Sequence, residues 1–131
     1  MLLHLVHLVH AVIREHIVKP GTRSGGWPTV RKHFLIRNGT CAACGGTKLL
    51  QVHHKMPFND DPTLELHPDN LITLCMGRST ECHLMLGHGS SFKWYNPNVL
   101  TDASEALAHP GHMADIAARA KQNRRPNQPG S

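Results

Sequence analysis

The chain has 131 residues, 40% of them apolar and 5% aromatic, with a formal net charge of +5. That length suits one domain, and a body this small is near the size at which a bound metal matters for stability. The positive balance favours a polyanionic partner, and the apolar start, MLLHLVHLVHAVI, is too short to span a membrane.

That start lacks a positive leader and a small-x-small cleavage site, and carries His4, His7 and His10 within the run. It is therefore not read as an export signal, and the expected setting is cytoplasmic and reducing, where clustered cysteines more often hold metal than form disulfides. An N-terminal helix is expected within residues 1–20, ended by Pro20-Gly21. At 100° per residue His4, His7, His10 and Arg14 share one arc, which reads as the polar face of a packed helix rather than a metal site. The apolar remainder is available to the body of the protein or, in a homodimer, to a second copy.

A loop with Arg23 and Ser24 leads to Trp27-Pro28, which opens a second helix, PTVRKHFLIRNG. Val30, Phe34 and Leu35 form its apolar stripe, with Arg31, Lys32 and Arg37 off it and Gly39 past its end. From Lys19 to Met56 there are seven Lys or Arg and no acid; from Asp60 to Asp69 there are four acids and no Lys or Arg. A one-signed face suits phosphate, with Arg23, Arg31, Lys32 and Lys55 as the expected contacts; a solvated basic surface is the alternative.

Strands are expected over 48–52 and 71–74, separated by the Pro-, Asp- and Asn-rich loop FNDDPTLELHPDN. A helix is expected from Cys82 to Leu86, ending near Gly87-Gly89. FKWYNPNVL packs its aromatics, a helix over 101–108 is capped by Thr101 or Asp102, and another runs over 112–121. The tail NRRPNQPGS reads as polar, basic and disordered. The units are thus an N-terminal helix (1–20), a central domain (21–108, core 41–88), and a C-terminal helix with its tail (109–131).

Cys41-x2-Cys44 is a turn able to place two thiolates about 2.3 Å from one Zn²⁺. Cys75 and Cys82 supply the other half, their wide spacing accommodated by a bulge at Gly77. Such a site is structural. His53, His54 and His83 are left over. Neighbours on a strand point to opposite faces, so His53 and His54 cannot do the same job. His83, pinned by Cys82, is placed to share a metal with His53, and a two-histidine site leaves positions open for water and phosphate. A neutral His54 suits deprotonation of water. The alternative is three histidines merely satisfied in a small core.

The ordered set Cys-x2-Cys, His53-His54, Asn70, Cys75 and Cys82-His83 resembles the HNH endonucleases of the ββα-metal (His-Me finger) fold. The likeness runs from about Trp27 to Asp102. It is closest to small HNH proteins with WPxVRxxFL before CAACG, and with GH and then YNPxV after the last CH. It implies an α+β fold: a short antiparallel hairpin plus helix, stapled by a four-cysteine zinc site and flanked by helices. It implies DNA as partner, His54 as general base and His53, where many members carry aspartate, as ligand to a divalent ion. His83 would be the second ligand, and Asn70 would orient the catalytic loop. His88 would contact phosphate or end the helix, because it lies five positions after His83 with Gly87 between. With no carboxylate, the site favours Zn²⁺, Ni²⁺ or Mn²⁺ over Mg²⁺. The competing function is a zinc-ribbon nucleic-acid-binding module without catalysis.

Overall fold

The computed structural model describes residues 24–77 and 81–127. The expected N-terminal helix and Arg23 lie outside these residues. The described chain is mixed α+β, with two small antiparallel sheets and three helices.

Helix α1 is Trp27–Arg37. It starts without a side-chain cap, but Pro28 occupies the first turn, where a backbone N–H would lack an intrahelical partner anyway. At the other end Asn38 donates to the Phe34 carbonyl from both its backbone N (2.8 Å) and Nδ2 (3.1 Å). Val30 is buried and Trp27, Phe34 and Leu35 are partly so, which is the expected stripe.

Strand β1 (Leu50–His54) pairs antiparallel with β2 (Leu71–Cys75), Leu50 opposite Cys75 and His54 opposite Leu71. Both expected strands are present. The first starts later than expected because Leu49 is in the left-handed region (φ 54°), so the ladder forms only beyond it. Opposed residues share a face and successive ones alternate. Gln51 and His53 therefore face one way with Ile72 and Leu74; Val52 and His54 face the other with Leu71 and Thr73. β2 is buried along its whole length because it has a core on each side. Ile72 and Leu74 pack with Leu86, Val99 and Ile116, whereas Leu71 packs with Val30, Val52 and Leu66.

The expected helix after Cys82 is a single π-helical turn, His83–Gly87. Short strand β3 (Trp94–Tyr95) follows, then α2 (Val99–Ala108), α3 (Met113–Asn123) and β4 (Arg125–Pro126). α2 begins at Val99 rather than Thr101, and neither Thr101 nor Asp102 caps it. Asp102 sits inside the first turn, where its carboxylate is already taken by other partners. The segment expected as a disordered tail is ordered where it is described: β4 pairs with β3, Trp94 opposite Pro126 and Tyr95 opposite Arg125; residues 128–131 lie outside the described residues. No helix among the described residues is long and apolar enough to cross a membrane.

Ala103 and Ala106 of α2 and Ala117 and Ala120 of α3 are buried in the same core as β2. Small residues here let the helices come close, and one polar knot fixes their register. Buried Asp102 accepts from Asn96 Nδ2 (2.8 Å) and from Arg119 (2.7 Å), and Arg119 also reaches Glu105. Asp102→Ala would leave fully buried Asn96 short of an acceptor, a loss of about 1–3 kcal/mol. Urea unfolding should show a lower midpoint with an unchanged slope; an unchanged midpoint would make the knot incidental.

Candidate metal centre

Two groups of side chains converge. The Sγ atoms of Cys41, Cys44, Cys75 and Cys82 lie within 4.8 Å of one another, and none of the four is in a disulfide. The first pair sits on a tight turn: Gly45 N donates to Cys41 O and Cys41 N to Gly46 O, both at 2.8 Å. Gly45 has φ +75°, a conformation that glycine adopts at little cost. The turn is tied to β2 by Ala42 N to Thr73 O (2.9 Å), which brings it against Cys75.

Their acidities show why this group wants a cation. A hydrogen bond from Cys82 lowers Cys41 to about 4. The same bond pushes Cys82 up, and burial pushes Cys44 up. Without a cation, one thiolate is stabilised at the expense of its neighbours. Four sulfurs at this spacing are a donor set for a metal ion such as Zn²⁺, as expected. Zinc-finger peptides gain an apparent ~10–16 kcal/mol from such a site. Cys41→Ser should therefore remove one bound zinc per chain, read by elemental analysis, and lower the melting temperature sharply. A full zinc complement in that variant would exclude this set.

The second group is His53, His83 and His88, whose ligand nitrogens also lie within 4.8 Å of one another. His83 Nε2 is 3.0 Å from His53 Nδ1 and 3.2 Å from His88 Nε2. The outer nitrogens fix the tautomers. His88 Nδ1 is 2.7 Å from the Trp94 carbonyl, which can only accept, so Nδ1 carries the proton and the Nε2 lone pair faces inward. His83 Nδ1 is 2.7 Å from Gln51 Oε1, with the same consequence. Two inward lone pairs 3.2 Å apart repel unless something positive sits between them. His53 is buried, and its Nε2 has no hydrogen-bond partner among the described residues. Burial lowers all three pKa values, His83 to about 4, so these rings stay neutral and able to ligate at pH 7. The donor set fits a divalent ion.

His88 was expected as a phosphate contact or a helix end; the structure places it with the other two imidazoles. The π-turn is the reason. His88 N bonds to His83 O (3.1 Å), five residues back, so the turn holds one residue more than an α-helical turn and His88 returns over His83.

His54 is on the opposite face of β1. Its ring lies 4.5 Å from that of Trp27, and its Nε2 is 2.9 Å from the Glu65 carbonyl. That carbonyl puts the proton on Nε2 and the lone pair on Nδ1. Asn70 holds the loop between the strands: Oδ1 accepts from Met56 N (2.8 Å), and Nδ2 donates to Met56 O (3.1 Å) and Leu64 O (3.2 Å). It thus acts on His54 through the position of Glu65. Lys32 is exposed, Arg31 and Lys55 are half-buried, and none forms an ion pair with another described residue.

Three contributors have no signal in the sequence. Glu65 is buried, and Oε1 accepts from Ser24 N (3.0 Å), which seats the start of α1 and Trp27 over His54. Gln51 orients His83. Gly87 lies flat under His53, where a methyl group would come within 3.1 Å of Cε1. Comparison with known proteins adds no assignment: no family model matches the chain, and no curated protein or solved structure does either.

Gly87→Ala should tilt the His53 ring and weaken divalent binding at the histidine set by about 10–100-fold, the usual effect of disturbing a ligand's support. Calorimetric titration with Mn²⁺ or Zn²⁺, after the cysteine set is filled, measures this. Wild-type affinity in the variant would mean that Gly87 does not position His53.

Proposed function

We propose that the chain is a metal-dependent DNA endonuclease of the HNH, ββα-metal type, in which β1, β2 and the π-turn are the finger. One observation carries the reading: adjacent His53 and His54 are split by the strand, one into a three-imidazole ligand set and the other into a separately fixed position. A core that needed only to satisfy histidines has no use for that division.

His54 holds the role of base. Nδ1 takes a proton from a water molecule as its oxygen attacks phosphorus in line, and the bond from phosphorus to the 3′ oxygen breaks. The 3′ oxygen takes a proton from solvent, leaving a 5′-phosphate and a 3′-hydroxyl. As His54 becomes charged, its Nε2–H bond to Glu65 O strengthens and the Trp27 ring offers its face to the imidazolium. His53, His83 and His88 would hold a divalent ion, which would supply charge stabilisation at a phosphate oxygen. The donor set has no carboxylate, which favours Mn²⁺, Ni²⁺ or Zn²⁺ over Mg²⁺. Arg31, Lys32 and Lys55 provide phosphate contacts, which give affinity without sequence preference.

Plasmid nicking with Mg²⁺, Mn²⁺, Ni²⁺ and Zn²⁺ tests the proposal. His54→Ala should lose about 10²–10⁴-fold in rate while still binding the ion, and His83→Ala should lose both. Metal-loaded wild type that never nicks DNA, yet binds it with a steep salt dependence, would indicate a zinc-ribbon binding module instead.

A further inference from the structure

Phe92 is 55% exposed, the one aromatic among the exposed large apolar side chains of the described residues. Its ring does not hang loose. Its centroid is 4.9 Å from that of His88 and 6.0 Å from that of His83, which it meets edge-on. The turn beneath it is braced: Trp94 N donates to Ser91 O (3.0 Å), and Asn127 Nδ2 donates to Phe92 O (2.8 Å). Lys93, the next residue in the chain, is exposed and forms no ion pair with a described residue. A fixed, half-open aromatic ring therefore borders the histidine set.

We infer that Phe92 is a stacking platform for an unpaired DNA base next to the phosphate at His53, His83 and His88. The protein accordingly acts on single-stranded or locally opened DNA in preference to a continuous duplex. This rests on the nuclease reading. A base inside a duplex is stacked on both faces and must leave the helix to reach a protein ring, a cost that an unpaired base does not carry. Stacking on an aromatic ring is worth about 5–150-fold in affinity per base and tolerates any base, because each has a π-face.

Fluorescence anisotropy with a short oligothymidylate and with a blunt hairpin duplex separates the outcomes. Phe92→Leu keeps an apolar contact on His88 but has no ring to stack. It should bind the single strand about 5–150-fold more weakly, bind the duplex as wild type does, and retain divalent affinity by calorimetry. Phe92→Trp should bind the single strand at least as well as wild type. On a strand of abasic residues, wild type and Phe92→Leu should bind alike. Equal losses on single strand and duplex, a loss that persists on the abasic strand, or no loss on the single strand would each overturn the inference. Binding is read without cutting, so the two proposals fail separately. Phe92-dependent binding with no nicking under any metal removes only the nuclease reading, and nicking with an indifferent Phe92→Leu removes only this one.

Discussion

The register of one five-residue strand pair determines which side of the protein each histidine serves. Because side chains alternate, a slip of one residue would turn His53 toward Trp27 and His54 toward His83 and His88. Both ends of the pair are clamped. At one end, Met76 N bonds to Leu49 O (2.9 Å), Cys75 joins the cysteine set, and the Cys41–Cys44 turn is bonded to β2 at Thr73. At the other, Lys55 N bonds to Asn70 O (2.8 Å), and Asn70's side chain closes the loop. The converging cysteines at one end and the hydrogen bonds at Asn70 at the other therefore serve one purpose, which is to forbid the slip.

The two ligand clusters differ in a way that fits two uses. The cysteine set offers four sulfurs and three of its residues are buried, the closed arrangement of a site that holds a fold together. The histidine set offers three nitrogens, with His83 and His88 only partly buried, so a bound ion keeps a side open. Neutral imidazoles with converging lone pairs are poor packing material, and apolar residues of similar size would fill the space at lower cost. Burial holds the cluster neutral, which keeps its nitrogens able to ligate.

Local patterns made much of this legible. The Cys-x2-Cys turn, the alternation of His53 and His54, and the apolar stripe of α1 all follow from short-range geometry, and each is found in the structure. What could not be read depends on long-range contact. Glu65 looks like one acid in an acidic loop, yet its backbone carbonyl fixes His54 and its carboxylate holds Ser24, 41 residues away. His88 looked misplaced because α-helical spacing puts a residue five positions on around the side of the helix. A π-turn carries no distinguishing composition, so His88's return to the cluster was invisible. The segment at Arg124 and Arg125 reads as disordered because it is polar and charged, whereas Arg125 is paired with β3 and Arg124 is held by Gly89 O and the Trp94 ring.

That pairing draws the C-terminal segment into the site. His88 is aimed by the carbonyl of Trp94. Trp94 is in turn held opposite Pro126 and lies under the Arg124 guanidinium, 4.7 Å from its ring centroid. Arg124 also donates to Gly89 O (2.9 Å), one residue beyond His88. Gly89 itself leaves no room: its φ is +55°, and a methyl group there would sit 2.9 Å from Arg124 Cβ. The end of α3 is thus pressed against the exit of the π-turn, and the third imidazole takes its direction from a residue that β4 holds in place. The segment between Cys41 and His88 contains every candidate ligand among the described residues, but its geometry is completed from outside, by α1 over His54 on one face and by α3 and β4 behind His88 on the other.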